Sequence, residues 1–233
     1  MKTFLISDTH GHHRQVIIPE GTECIIHSGD STNWHDWLRN QPEFEDFLDW
    51  FTNIDVKYKV LIPGNHDAWA LKKYNVDKVK ERGIIFNEHG YESVNDRLMF
   101  LSAYTPTFGN WHFMKDRQKL SRYWEELIEG IDVLVTHGPP KGILDIARKY
   151  YGKKEEGRYY GEVMEFCGDN ALFKHVNRVN PKVHTFGHIH NNDDIINYGS
   201  RTISGLDTIF YNASMVYDGD MTAIKNKGHI INI

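Results

Sequence analysis

Val60-Leu61-Ile62-Pro63-Gly64-Asn65-His66-Asp67 is the stretch whose reading decides the fold. Its aliphatic start predicts a strand buried on both faces, as in the sheets of layered α/β proteins. Asn, His and Asp then follow in succession, a costly place for polar groups unless they bind something. The same pattern recurs along the chain. Phe4-Leu5-Ile6 runs into Asp8-Thr9-His10, Cys24-Ile25-Ile26 into Gly29-Asp30, and Val133-Leu134-Val135 into His137. Val183-His184-Thr185-Phe186 runs into Gly187-His188-Ile189-His190. In open α/β sheets the binding crevice lies beyond the carboxyl ends of the strands, so these distant positions are expected to converge.

Between the candidate strands lie segments of helical period. Phe44, Phe47, Leu48 and Phe51 define an amphipathic helix with Pro42 near its first turn. Leu120, Tyr123, Trp124, Leu127 and Ile128 make one apolar face that Gly130 ends. A third helix is expected from Asp169, as cap, to Val179, with Leu172, Val176 and Val179 facing the core. Arg97 to Ala103 and Thr208 to Ile233 read as strands without intervening helices, which predicts an added antiparallel sheet. Tyr150 to Gly168, rich in Lys, Glu and Tyr, reads as a solvated loop or short excursion, with a substrate lid as the alternative.

Composition bounds the function. The 233 residues, 40% hydrophobic and 25% charged, match an ordinary globular chain, and one domain spanning 1–233 is expected. A net charge of −5 with no long basic run argues against a general nucleic-acid binder. Two cysteines, Cys24 and Cys167, are too few for a disulfide scaffold, which points to a reducing cytoplasm. No stretch reaches the roughly 18 consecutive apolar residues of a membrane span. The apolar run after Met1 is too short for a signal peptide. Asn212-Ala213-Ser214 matches a glycosylation sequon and is read as a structural element.

The strand-end residues form a ligand set for two divalent cations. Asp8 and His10, two apart, point the same way, as do His188 and His190. Asp30 has two oxygens and can bridge. Asn65 offers a neutral oxygen suited to a hard cation. Each block alone has a plainer reading: Gly29-Asp30 as a turn, Asp67 as a helix cap, His137 as a buried histidine satisfied by its surroundings. Their joint placement favours metal binding. His12, His13, His27, His35, His89, His112, His175, His184 and His229 lack such placement and are expected in the core, on the surface or behind the ligands.

The order D-x-H, G-D, G-N-H-D, a later His after an apolar strand, then G-H-x-H resembles the calcineurin-like metallophosphoesterase superfamily. The resemblance runs from Asp8 to His190. Ser7 to Gly11, Thr105 to Trp111, Glu129 to Pro140 and Asn212 to Ser214 are further similar to its small metallophosphoesterase-domain group, which is linked to phosphodiester and cyclic nucleotide hydrolysis. The resemblance implies a four-layer αββα sandwich of two mixed β-sheets flanked by helices, with a dinuclear site at the strand C-terminal ends. It implies Asp8, His10 and His190 on one metal, Asn65, His137 and His188 on the other, and Asp30 between them. His66 would approach the substrate phosphate and Asp67 would orient it. Some animal members of the group lack the histidine equivalent to His188, which this chain keeps; the Tyr150 to Gly168 stretch is longer than the group leads one to expect.

Two such cations, Mn by preference with Fe, Zn, Co or Ni as alternatives, can share a water and bring its pKa towards neutrality. A small phosphoester, a diester first, is the expected substrate. Phosphomonoesters, nucleotide pyrophosphates and nucleic acids remain alternatives on the same ligands, and a non-catalytic binding scaffold is the reading from another class. The aromatic residues Phe108, Trp111 and Phe113 in Thr105 to Phe113 are expected either to wall the site or to pack in the core.

Overall fold

The computed structural model describes all residues except 35, 72–75, 152–160 and 193. In chain order the first half holds β1 (Lys2–Ile6), β2 (Cys24–His27), α1 (Trp37–Asn53), β3 (Tyr58–Leu61), α2 (Ala68–Leu71), α3 (Val76–Glu81), β4 (Ile85–Phe86), β5 (His89–Val94), β6 (Arg97–Ser102), β7 (Thr105–Pro106), β8 (Met114–Lys115) and α4 (Arg117–Trp124). The second half holds β9 (Val133–Thr136), β10 (Ile146–Tyr151), β11 (Gly161–Phe166), α5 (Asn170–Val179), β12 (Val183–Phe186), β13 (Gly199–Arg201), β14 (Ile209–Asn212) and β15 (His229–Asn232).

Two mixed sheets carry the fold. One has the order β15-β1-β2-β3-β4, the other β13-β14-β12-β9-β6-β5. Period-2 alternation sorts the strand side chains into layers. Phe4, Ile6, Ile25 and Leu61 pack on Phe44, Phe47, Leu48 and Phe51 of α1. From the opposite face Leu5, Ile26 and Val60 meet Leu101, Val133, Val135 and Val183 of the second sheet. Beyond that sheet Phe100, Leu134, Phe186 and Phe210 cover Leu120, Trp124, Leu172 and Val176 of α4 and α5. Three apolar seams between helices, sheet, sheet and helices make the αββα sandwich.

The strand cores β1, β2, β3, β9 and β12 fall where the aliphatic runs placed them, and Asp169 caps α5 by accepting from the Ala171 amide. Other expectations need correction. The helix α1 starts five residues before Pro42, capped by Asp36, which accepts from the Arg39 amide. Pro42 removes only the bond to the carbonyl of Leu38, an exposed residue whose carbonyl water can serve. The helix α4 ends at Trp124 and continues as a turn, so Leu127 is buried but Ile128 is 52% exposed. The strands of Arg97 to Ala103 and Thr208 to Ile233 do not form a sheet of their own. The strands β6 and β14 lie inside the second sheet, parallel to β9 and β12, while β5, β13 and β15 form antiparallel edges. Among the described residues the link from β12 to β14 contains no helix, which hid its parallel sense from helix-strand alternation. The expected loop at Tyr150 to Gly168 is partly ribbon: β10 and β11 pair antiparallel, and Lys153, Lys154, Glu155, Glu156, Arg158, Tyr159 and Tyr160 between them lie outside the described residues, as does His35. Val163, Met164 and Phe166 are exposed on it, so no one-sided periodicity marked these strands.

Candidate metal centre

The C-terminal ends of β1, β2, β3, β9 and β12 converge. Backbone bonds stitch them together: the Asp8 amide donates to the Gly29 carbonyl at 2.8 Å, and the Gly187 amide to the His137 carbonyl at 2.9 Å. The Ser7 amide reaches the Ala213 carbonyl at 2.9 Å, tying one sheet to the other. Four of the expected ligands, Asp8, His10, Asp30 and His188, have left-handed φ values of 51°, 42°, 56° and 67°. Non-glycine residues rarely adopt that conformation, and such strain gathers at binding sites. Two glycines allow the close approach. A Cβ on Gly187 would overlap Asp8 Oδ2, and one on Gly64 would overlap Asp30 Oδ1.

Every ligand expected from the sequence reaches this crevice. Asp8, His10 and His190 offer atoms within 4.8 Å of one another, as do His10, Asp30 and His66, and again Asp30, His137 and His188. Asp30 and His10 thus each belong to two groups. Asn65 Oδ1 lies 3.0 Å from His137 Nε2, which is 3.4 Å from Asp30 Oδ2. His190 Nε2 lies 3.2 Å from Asp8 Oδ1. The set is out of solvent: Asp8, Asp30, Asn65, His10, His137 and His190 are all buried.

These residues fit divalent cations. Both ring nitrogens of His10 are buried without a hydrogen-bond partner among the described residues, an arrangement that is expensive unless a ligand completes it. His137 Nδ1 meets the Ser28 carbonyl at 2.9 Å; a carbonyl only accepts, so Nδ1 carries the proton and Nε2 faces inward as a donor of electrons. Burial opposes charge on His137, yet the Asp30 carboxylate overrides it and raises the group to about 9. At His190 burial is likewise overridden, by Asp218 and Asp8, to about 10. A proton is drawn to the spots where a cation would sit. His10 and His188, with burial dominant, are held neutral instead, His188 at about 3. Burial opposes charge on Asp8 and Asp30 too, but neighbouring histidines hold both carboxyls below the usual carboxylate range. Among the described residues neither Asp8 nor Asp30 pairs with a lysine or arginine.

His66 and Asp67 stand at the same rim, in different roles. The His66 amide donates to Asp30 Oδ1 at 2.8 Å, and its ring lies 4.7 Å from that of His10. His66 Nδ1 meets the Asn33 carbonyl at 3.1 Å rather than Asp67. The Asp67 carboxylate is occupied elsewhere: it accepts from Gly64 N, Ser31 N and Oγ, and Thr32 N and Oγ1. Asp67 therefore locks the loop after β2 to the loop after β3, and any effect on His66 passes through that backbone. It precedes α2, but its carboxylate does not turn to the helix.

Sequence reasoning missed several supports. Ser214 Oγ donates to Asp8 Oδ2 at 2.8 Å, and the Asn212 amide group bonds the carbonyls of Leu144 and Ile189. The sequon-like Asn212-Ala213-Ser214 thus supports the ligands, and its position after a strand was the available signal. Asp218 beside His190 and Glu43 beneath Asn33 had none. The Thr105 to Phe113 segment lies at the site: the Trp111 ring is 4.6 Å from His66, and Phe108, 55% exposed, is 5.0 Å from His188.

The calcineurin-like phosphoesterase family model matches residues 1–192, and the chain belongs to that family of dinuclear metal-dependent phosphoesterases. It is 30% identical over 222 residues to human metallophosphoesterase domain-containing protein 1, covering 84% of this chain and 63% of that protein. A UPF0046 protein of Caenorhabditis elegans is 28% identical over 217 residues, with 87% and 68% covered. The chain thus spans less than two thirds of the human relative's length. Among solved structures, phosphopantetheinyl hydrolase from Mycobacterium tuberculosis shares the fold, with a TM-score of 0.56 over 93% of this chain and 89% of that one, at 16% identity.

Proposed function

We propose that this protein is a metal-dependent phosphodiesterase. The observation that carries the reading is the complete ligand set around Asp30, with His188 present and, among the described residues, no lysine or arginine paired to its carboxylates. Two bound cations suffice to neutralise the single charge of a diester.

Two divalent cations, when bound, supply Lewis-acid charge to the phosphoryl oxygens and a nucleophilic water at neutral pH. Asp8, His10 and His190 would hold one and Asn65, His137 and His188 the other, with Asp30 shared. The chain does the rest. Burial of the ligands excludes bulk water and strengthens each electrostatic contact. The Asn33 carbonyl keeps the His66 proton on Nδ1 in the neutral ring; once protonated, Nε2 can give its proton to the departing alkoxide oxygen. Before that transfer the same N–H donates to a phosphoryl oxygen as its charge grows. Asp67 holds the loop that aims His66. No serine or cysteine nucleophile is required, so a covalent phosphoryl-enzyme is not expected.

The reading is tested by comparing kcat/KM for bis(p-nitrophenyl) phosphate, p-nitrophenyl phosphate and 3′,5′-cyclic nucleotides with Mn added. Preference for the diesters is expected. Preference for the monoester would replace this assignment with a phosphomonoesterase.

A further inference from the structure

Asn40 stands on the buried stripe of α1. Phe44, Phe47, Leu48 and Phe51 follow it at the spacing of one helix face, and like them it is fully buried. An apolar residue is expected at such a position, because a buried amide is costly unless its polar atoms are met. Those of Asn40 are met entirely by two loops of the site. Nδ2 donates to Thr32 Oγ1 and to the Trp34 carbonyl, both at 2.8 Å, and to the His66 carbonyl at 2.9 Å. Oδ1 accepts from the Ala70 amide at 2.7 Å, a first-turn donor of α2 that the Asp67 carboxylate does not serve.

Glu43 lies one turn further along α1, on the same side. Its Oε2 accepts from the Asn33 amide at 2.6 Å and from the Trp34 amide at 3.4 Å. A Cβ on Gly11 would overlap Glu43 Oε1, so the carboxylate also packs on the turn after His10. The Trp34 N–H and the Asn33 C=O belong to one peptide group, whose oxygen meets His66 Nδ1 at 3.1 Å. An acceptor on the N–H side of a peptide polarises it and strengthens the carbonyl on the other side. His66 is thus gripped twice from α1: Asn40 holds its carbonyl, and Glu43 holds the peptide that meets its ring.

We infer, building on the phosphodiesterase reading, that Asn40 and Glu43 are positioning residues for His66. Acting through backbone groups, they fix the place of the imidazole and keep Nδ1–H as its tautomer, which leaves Nε2 for the substrate. The polar break in the apolar stripe of α1 serves this purpose: a leucine at position 40 could pack against the core but could hold neither loop.

The test joins a double-variant cycle to 15N NMR of the His66 ring. With Mn bound, Asn40→Ala and Glu43→Ala should each lower kcat for diphenyl phosphate roughly 10 to 100-fold, with KM within about twofold. For bis(p-nitrophenyl) phosphate, whose leaving group needs no proton, the losses should be smaller. Either change should add little once His66 is already alanine. In the metal-free protein the ring should show Nδ1–H in the wild type and a mixture of tautomers in both variants. Glu43→Gln keeps an oxygen for the Asn33 amide and should return kcat to within about threefold of the wild type. Should Asn40→Ala fail to fold, Glu43→Ala carries the test. Full losses in the His66→Ala background, or an unaltered tautomer in Glu43→Ala, overturn the inference. Failure of the function itself looks different: the wild type turns over no diester, and the tautomer still decides the positioning.

Discussion

Asp218 Oδ1 lies 2.9 Å from His190 Nδ1, on the side of the ring opposite Asp8. A carboxylate at that distance draws the proton to Nδ1 and leaves Nε2 to act as the ligand. Asp218→Ala is therefore expected to weaken metal affinity by roughly 10 to 100-fold, and excess Mn should restore most of the turnover. Metal titration followed by activity reads both. A loss of turnover that excess metal does not repair would assign Asp218 some other task.

Asp30→Ala should be the most damaging ligand change, because Asp30 is the carboxylate that belongs to two of the three potential metal groups and it has a second oxygen to share. Elemental analysis after equilibration with Mn is expected to show both ions lost or one retained weakly, with turnover near background. Normal metal content in this variant would end the shared-ligand assignment.

His66→Ala should keep the metals and lower turnover by roughly 10²–10⁴ for diesters with alkoxide leaving groups. Nitrophenolate leaves without a proton, so its esters should suffer less. Equal losses across a series of leaving-group pKa values would restrict His66 to charge stabilisation.

His184 is buried against Thr136 Oγ1 at 2.8 Å, and burial pushes it down to about 3. Unfolded, it takes a proton near 6.5, so its contribution to stability is intact above that pH and is lost as pH falls towards 3. Between pH 6.5 and 4 the wild type should lose roughly 3 kcal/mol more than His184→Gln does, by urea unfolding of the metal-free protein. Parallel pH profiles for the two would show that His184 titrates normally.

Much of the site was legible because its ligands follow aliphatic strands, and that pattern survives in one dimension. Val60 to Asp67 announced both a buried strand and its polar end. What stayed hidden depends on contacts that no local pattern marks: Ser214 reaches Asp8 across 206 positions, and Glu43 holds the Asn33 amide whose carbonyl meets His66. The ribbon of β10 and β11 escaped because its exposed side chains carry no burial period. The parallel sense of β14 was invisible for a different reason, since a helix-free connection gives no sign of strand direction.

The most direct test is to strip the protein with chelator and titrate it with Mn while following hydrolysis of bis(p-nitrophenyl) phosphate. Activity should be absent without metal and should reach its plateau at two ions per chain. Full diester turnover in the stripped protein, or none with two ions bound, would contradict a two-metal phosphodiesterase.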